Sequence, residues 1–348
     1  MRVRGALRGG GSWLALAGAA LAAVTGCAPG SAERSSPAIQ AQRRGFALPS
    51  WSTGDYDGPH AAAYVKAIAD TGASWLQLNP TWYQQDPRDG EPRRTDETAS
   101  DDGVRHIIGL ARAAGLKVLL KPHVDLLDGQ DRATIRPADR GRWFAAYTRL
   151  IVHYAGLARE AGATEFAVGT ELAGLSAERP EWLAVITAAR ERFGGPLVYA
   201  ANYDEYARVR FWDALDLIGI DAYWPIADRP TTDPAALRRA WRPIAMRLAA
   251  FSAEHRRKIL FTEAGYVSQR GATTRPYSWT ISEVRGDEEQ AAAYEALLKG
   301  FSGQPWWAGV HWWMWDDWPD AGETPPPLAY SPHGKPAEQV VRRWWRGR

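Results

Sequence analysis

From Gly45 onward, apolar strand-like segments alternate with amphipathic helix-like segments along the chain. Several of the helix-like segments end in a glycine near the next strand, which is a common way for a helix to stop. Eight strand–helix units in about 300 residues predict one α/β domain with the (β/α)8, or TIM, barrel fold. The predicted strands are residues 45–51, 75–83, 117–126, 165–172, 196–203, 217–225, 258–266 and 309–317, and the predicted helices are residues 60–71, 103–114, 142–161, 180–193, 234–255 and 287–301.

Two of the predicted strands end in a glutamate. Glu171 follows the apolar run of EFAVGTEL, and Glu263 follows that of KILFTEAGY. A carboxylate placed directly after a buried apolar run is costly unless it is paired or used. Either residue alone could be an ion-paired strand end. Two of them in one barrel indicate paired-carboxylate chemistry, of which glycoside hydrolysis is the commonest example.

Polar and aromatic residues collect at the carboxyl ends of the predicted strands, whereas the amino ends are mainly apolar. The active site of a (β/α)8 barrel lies at the carboxyl ends, so this gradient favours an enzyme over a structural barrel. Besides the two glutamates, the candidate substrate-binding residues are Trp51, Asn79, Trp82, Lys121, His123, Asn202, Asp221, Tyr223, Trp224 and Trp315.

The alternation of side chains along a strand predicts which residues share a face. In the seventh strand it places Ile259, Phe261 and Glu263 on one face. If Glu263 points inward, Tyr223 on the neighbouring strand can hydrogen-bond its carboxylate and keep it charged, as a nucleophile requires. Glu171 needs the opposite influence, a pKa raised by partial burial, so that it can donate a proton.

The chain contains 18 tryptophans. Flat aromatic rings stack on the apolar faces of sugars and exclude water from them. We expect Trp315 to form the floor beneath the sugar at the cleavage point, with Trp82 or Trp224 beside neighbouring sugars. Any one of these rings could instead pack inside the protein, as we expect of Trp344 and Trp345.

The sequence carries no HxH or HExxH metal motif and no glycine-rich phosphate loop. We therefore expect no metal and no cofactor. His123 and Lys121 are expected to donate hydrogen bonds to substrate or to an active-site carboxylate, although Lys121 could form an ion pair with Asp125 or Glu171 instead. Lysine and arginine number 42 against 40 acidic residues, which gives no basic surface for nucleic acid.

The amino terminus has the pattern of an export signal. Arg2, Arg4 and Arg8 precede the apolar residues 13–24, a stretch too short to predict a membrane span. Val24-Thr25-Gly26-Cys27 then resembles a bacterial lipobox, in which the cysteine is lipid-modified; a plain secretory signal is the alternative. Cys27 is the only cysteine, so no internal disulfide can form. The predicted division is a signal peptide at 1–26, a flexible tether at 27–44 and the catalytic domain at 45–348.

The phrases VGTEL and TEAGY, together with WLQLNPTWYQ, KPHVDL and IGIDAYWP, resemble glycoside hydrolase family 113, within clan A of the retaining enzymes. The resemblance covers roughly residues 44–345. It implies a β-1,4-mannanase or related mannoside hydrolase, with Glu171 as acid/base and Glu263 as nucleophile. Most clan members have asparagine before the acid/base, where it contacts the sugar 2-hydroxyl. Thr170 occupies that position here, which fits a substrate with an axial 2-hydroxyl, such as mannose.

The leading interpretation is a monomeric retaining hydrolase of a β-linked polysaccharide or oligosaccharide, held on the membrane of the bacterial cell envelope through Cys27 and exposed outside the cytoplasm. The same mechanism on xylan, glucan or an envelope polysaccharide is an alternative. A lipid-anchored barrel that binds carbohydrate without cleaving it is a second alternative, against which the two intact glutamates argue.

Overall fold

The structure is a computed structural model that describes residues 42–88, 91–315 and 327–347. The predicted signal peptide and Cys27 lie outside these residues. Nine strand segments form the barrel wall: β1 (Arg43–Ser50), β2 (Trp75–Gln84), β3 (Lys117–Leu120), β4 (His123–Leu126), β5 (Glu165–Thr170), β6 (Leu197–Asn202), β7 (Leu217–Asp221), β8 (Ile259–Ala264) and β9 (Trp307–Trp312).

The segments form a closed ring of eight parallel strands. β3 and β4 both pair with β2, so they are two halves of one barrel strand, interrupted at Lys121 and Pro122. Proline cannot donate a backbone hydrogen bond, which explains a break there. β1 pairs with β2 on one side and with β9 on the other, and this pairing closes the barrel. The predicted (β/α)8 fold is confirmed.

Seven α-helices surround the barrel within the described residues: α1 (Ala61–Asp70), α2 (Asp101–Ala113), α3 (Arg140–Ala161), α4 (Arg179–Arg192), α5 (Pro234–His255), α6 (Asp287–Phe301) and α7 (Pro336–Arg346). The first six agree with the predicted helices. At α3, the side chain of Asp139 caps the first turn, and Gly162 ends the helix with a φ of 82°. In the part of the chain that the structure describes, no helix combines the length and apolar character needed to cross a bilayer.

Alternation along the strands divides the apolar residues into two layers. One layer fills the barrel interior with Trp75, Leu119, Ala167, Val198, Leu217, Leu260 and Ala308. The other lies between strands and helices, where Phe261 of β8 packs against Trp241 of α5 and Phe301 of α6. The interior layer closes the barrel below its mouth, so the polar residues at the carboxyl ends of the strands have a solid floor.

An irregularity in β8 corrects one prediction. In the pairing with β7, Phe261 faces Ile220, but Glu263 faces Asp221, the very next residue of β7. Thr262 is therefore an extra residue, as in a β-bulge. Because of it, Glu263 does not share the outward face of Phe261. The predicted face assignment was wrong for Glu263, and the bulge is what turns this side chain toward the barrel mouth.

Candidate active site

A cavity of about 400 Å³ opens at the carboxyl ends of the strands. Its wall contains both strand-end glutamates and four other residues that the sequence predicted for the site. These six are Trp51, His123, Glu171, Asn202, Tyr223 and Glu263. A concave site of this size in the mouth of a barrel is a usual setting for ligand binding.

The carboxylate of Glu263 receives a hydrogen bond on each oxygen. The ammonium of Lys121 donates to Oε1, and the hydroxyl of Tyr223 donates to Oε2 over 2.8 Å. The residue is only 3% exposed, so neither bond competes with bulk water. Hydrogen bonds to a carboxylate favour its charged form and fix its orientation. Both conditions suit a nucleophile.

A buried charge network lies below Glu263. Lys121 is fully buried, and its Nζ lies 3.3 Å from Oδ2 of Asp221. Thr262, the extra residue of the bulge, donates over 2.6 Å to Oδ1 of Asp221. Burial would lower the pKa of Lys121, but the charges of Asp221 and Glu263 outweigh it and raise the pKa. Burial and the charge of Glu263 raise the pKa of Asp221 in turn. The ammonium of Lys121 thus forms ion pairs with two carboxylates, those of Asp221 and Glu263.

His123 supports the lysine as a neutral ring. Its Nε2 lies 3.2 Å from Nζ of Lys121 and 2.9 Å from Nδ2 of Asn79. Both neighbours are donors, so Nε2 accepts and the ring proton is on Nδ1. Burial, followed by the charges of Arg132 and Lys121, holds the pKa of His123 well below its usual value. The imidazole also stacks on Trp313, with centroids 6.0 Å apart and planes 14° from parallel.

The prediction that Lys121 donates a hydrogen bond to an active-site carboxylate is confirmed, since it donates to Glu263. Its ion-pair partners are Glu263 and Asp221, in place of the alternative partners Asp125 and Glu171. The sequence also predicted that His123 donates a hydrogen bond to substrate or to an active-site carboxylate. Its Nε2 lies 3.8 Å from Oε1 of Glu263, beyond hydrogen-bond range, and accepts from other groups. Donation to substrate stays a prediction.

Glu171 has the opposite surroundings. It follows β5 with a φ of 55°, in the left-handed region that few residues other than glycine adopt. Oε2 lies 2.7 Å from Nη1 of Arg132, which also pairs with Asp125. Burial raises the pKa of Glu171, as does the charge of Asp221; Arg132 opposes them, and Glu263 adds a further rise. The net result is a pKa well above the usual value, which suits a proton donor.

Trp315 is not where the sequence predicted. Its ring is 1% exposed and packs edge-on against Phe46 of β1, with centroids 4.9 Å apart. Trp313 lines the cavity instead, beside His123. The chain leaves β9 after Trp312, so strand alternation no longer sets the direction of Trp315. A buried ring cannot form the predicted stacking floor.

Trp82 and Trp224 also lie outside the cavity. Nε1 of Trp82 donates over 3.1 Å to the hydroxyl of Tyr154 in α3. Trp224 is 8% exposed and packs edge-on against Trp241 of α5, with centroids 6.0 Å apart. Neither ring offers a free face to a sugar in the cavity. Both predictions for these rings are corrected to packing roles.

The residues that could hold a metal or cofactor are few. Among residues 42–88, 91–315 and 327–347, no three His, Cys, Asp or Glu side chains are grouped as a metal site requires. The cavity instead brings together two carboxyl groups with contrasting surroundings. That arrangement can donate a proton with one carboxyl and attack with the other.

Comparison with known proteins assigns the family. The model of glycoside hydrolase family 113 matches residues 46–335, most of the barrel. The chain belongs to glycoside hydrolase family 113. It is a glycoside hydrolase, as the carboxylate pair in the barrel mouth indicated.

Solved structures of family 113 are similar over nearly their whole length. The β-mannanase of Alicyclobacillus acidocaldarius in complex with ManMIm is 28% identical, with a TM-score of 0.81 over 89% of this chain and 99% of that one. A family 113 β-1,4-mannanase complex is 25% identical, with a TM-score of 0.81 over 88% and 99%. A family 5 enzyme of Streptomyces cattleya, at 16% identity and a TM-score of 0.59 over 87% and 80%, shares the fold. No curated sequence matches the chain.

Sequence reasoning missed several residues of the family 113 site. Arg132 lies in a short 3-10 helix after β4, where no pattern distinguishes it from surface arginines. Trp313 lies in the last predicted strand but was given no role. The remaining aromatic wall comes from loops, through Tyr277, Trp279 and Tyr330. Loop conformation has no periodic signal, so the sequence did not predict these positions.

Proposed function

We propose that this family 113 enzyme hydrolyses β-1,4-mannan or manno-oligosaccharides with retention of configuration. In this proposal Glu263 is the nucleophile and Glu171 is the acid/base. The observation that carries it is the contrast between the two carboxyl groups that line one cavity. Glu263 receives two hydrogen bonds, whereas burial and neighbouring carboxylates raise the pKa of Glu171.

The reaction has two steps. Glu171 donates its proton to the glycosidic oxygen while an oxygen of Glu263 attacks the anomeric carbon, so the leaving group departs and a glycosyl ester forms. Glu171, now ionised, then takes a proton from a water molecule, whose oxygen attacks the same carbon and releases Glu263. Two inversions give net retention. Arg132, 2.7 Å from Glu171, stabilises the ionised acid between the steps.

Two observations support mannose as the sugar. Both family 113 structures compared above are described as β-mannanases. In addition, Thr170 is 2% exposed, and its Oγ1 lies 3.5 Å from the carbonyl oxygen of Pro122, so it turns away from the cavity. The position next to Glu171 therefore offers no side-chain amide to an equatorial 2-hydroxyl. This fits mannose, whose 2-hydroxyl is axial.

The alternatives share the barrel and the two acids. Xylan, glucan or an envelope polysaccharide could be cleaved by the same steps. A panel of defined manno-, xylo- and gluco-oligosaccharides, assayed with the wild-type enzyme, separates these substrates. A barrel that only binds carbohydrate would bind members of the panel and cleave none.

Azide rescue tests the two roles. With an aryl β-mannoside that has a good leaving group, Glu171→Gln still forms the ester, and azide attacks it to give the β-glycosyl azide. In Glu263→Gln no ester forms, and azide attacks the substrate directly to give the α-glycosyl azide. Product stereochemistry, read by nuclear magnetic resonance, therefore distinguishes nucleophile from acid/base.

Glu254→Gln is the matched control. Glu254 is exposed on α5, so this substitution makes the same chemical change outside the cavity. It should keep wild-type activity and give no azide product. The same anomer from both site variants, or full activity in either, would falsify the assignment.

A further inference from the structure

We propose that the sugar cleft continues past Trp51 into a second cavity, which binds a further neutral sugar of the same glycan chain. The enzyme would then act on oligosaccharides or polysaccharides in preference to a single terminal sugar. This inference rests on the proposed function and adds a binding site to it.

Trp51 is the wall between two cavities. It lines the active-site cavity, and it also lines a neighbouring cavity of about 480 Å³ formed by the segment that follows β1. Its side chain is 38% exposed, which is unusual for a residue of this size directly after a barrel strand. A sugar chain that leaves the active-site cavity over this ring therefore reaches residues that line the second cavity.

The order of strands gives the cleft a direction. Trp51 follows β1, and Asn202 ends β6, which lies on the opposite side of the eight-strand ring. Glu171 at β5 and Glu263 at β8 lie on either side of the line that joins them. A glycan laid along this line passes between the two carboxyl groups. Its end beyond Trp51 lies over the second cavity.

The wall formed by Trp51 is rigid. The carboxylate of Asp55 accepts hydrogen bonds from the backbone N–H groups of Trp51 and Ser52, over 2.8 and 2.9 Å. The hydroxyl of Tyr56 donates to the carbonyl of Leu48 over 2.7 Å and accepts from the N–H of Asn79 over 2.9 Å. The segment is therefore fixed to β1 and β2 before any ligand arrives, and little conformational entropy is lost on binding.

The second cavity has the mixed lining that sugars need. The rings of Trp51 and Tyr64 offer apolar surface, and Asp55 and His60 offer polar groups to hydroxyls. Asp55 is exposed as well as fixed, and a carboxylate accepts up to about four hydrogen bonds, one more than the three it accepts within the segment. The same carboxylate repels acidic sugars. The lining therefore favours a neutral hexose.

The test measures how kcat/KM rises with the length of the oligosaccharide, from the disaccharide to the hexasaccharide. For the wild-type enzyme, kcat/KM should increase with each added sugar that reaches the second cavity. In Tyr64→Ala and His60→Ala, kcat/KM for the longer oligosaccharides should fall by up to about tenfold, which is the contribution of one aromatic contact. Trp51→Ala should also lose the increase of kcat/KM with chain length.

His106→Ala is the matched control, because His106 is exposed on α2 and lines neither cavity. It should keep the full gain, and thermal unfolding should confirm that all variants are folded. A full gain with length in Tyr64→Ala and His60→Ala would overturn the second site. Failure of the wild type to cleave manno-oligosaccharides would overturn the proposed substrate instead, and the length series would then be run on the β-glycan that is cleaved.

Discussion

The hydroxyl of Tyr223 donates a 2.8 Å hydrogen bond to Oε2 of Glu263, across the bulge that turns the glutamate inward. Tyr223 lies just beyond β7 and also lines the cavity, so it contacts both the carboxylate and the space where substrate binds. The sequence predicted this contact on the condition that Glu263 points inward, and the bulge in β8 is what meets that condition.

Tyr223→Phe should lower kcat/KM by roughly 10- to 100-fold, because a hydrogen bond to a charged group contributes about 1.5–3 kcal/mol. Steady-state kinetics on a manno-oligosaccharide measures the loss. Tyr294→Phe is the matched control, since Tyr294 is buried in the outer layer and its hydroxyl has no partner among the described residues. An equal loss in both variants would mean that Tyr223 acts only through packing.

Lys121→Met should reduce the free energy of unfolding by about 3–5 kcal/mol, since it leaves Asp221 and Glu263 buried without their cation. The double variant Lys121→Met, Asp221→Asn should recover part of this stability, because one uncompensated carboxylate is removed. Urea unfolding of both variants measures the difference. If the double variant is no more stable than the single one, the two residues are not coupled.

The pKa of Glu171 should appear as the alkaline limb of the kcat/KM profile, because the acid must be protonated to act. Its pKa is raised, so the limb lies at a higher pH than for an ordinary carboxyl group. The charge of Arg132 lowers this pKa, so Arg132→Gln should move the limb to higher pH, whereas Arg132→Lys should move it less. A limb that stays in place in Arg132→Gln would assign it to another group.

Trp313→Ala and Trp315→Ala should fail in different ways. Trp313 lines the cavity and is only 7% exposed, so its loss should reduce both kcat/KM and the free energy of unfolding. Trp315 is buried against Phe46, so its loss should cost about 3–5 kcal/mol of unfolding free energy. Thermal unfolding and kinetics on both variants separate the effects. Intact stability with lost activity in Trp315→Ala would restore the stacking role first predicted for it.

We propose that Cys27 carries the lipid anchor predicted from the sequence. Two or more acyl chains hold a protein stably on a bilayer, whereas one is marginal. Metabolic labelling with palmitate should mark the wild type and miss Cys27→Ser. Equal labelling of both proteins would contradict the anchor.

The sequence predicted most where one periodic signal decides the structure. Runs of apolar residues located all the barrel strands, because strands buried on both faces must be apolar. The positions of Glu171 and Glu263 followed from those runs, since a strand end in a barrel is a defined place in space. The pairing of adjacent strands brought Tyr223 beside Glu263, but alternation alone did not turn Glu263 toward it.

The sequence predicted least where regular structure stops. Thr262 looks like any strand residue, yet its insertion reverses the face of Glu263. Trp313 and Trp315 are separated by one residue, but the chain has already left β9, so only tertiary packing decides which ring faces the cavity. Arg132 reaches Glu171 from a loop, at a distance in sequence that no local pattern encodes.

The left-handed backbone of Glu171 bears on how such a barrel can change over generations. A residue with a side chain loses roughly 1–3 kcal/mol of folding free energy in this conformation, whereas glycine loses little and asparagine less than most. If Glu171 is the acid/base proposed above, mutations that exchange it for either residue would abolish hydrolysis while relieving this backbone strain. Only continued demand for catalysis opposes that drift. A barrel without that demand can exchange Glu171 and keep the cavity that binds sugar.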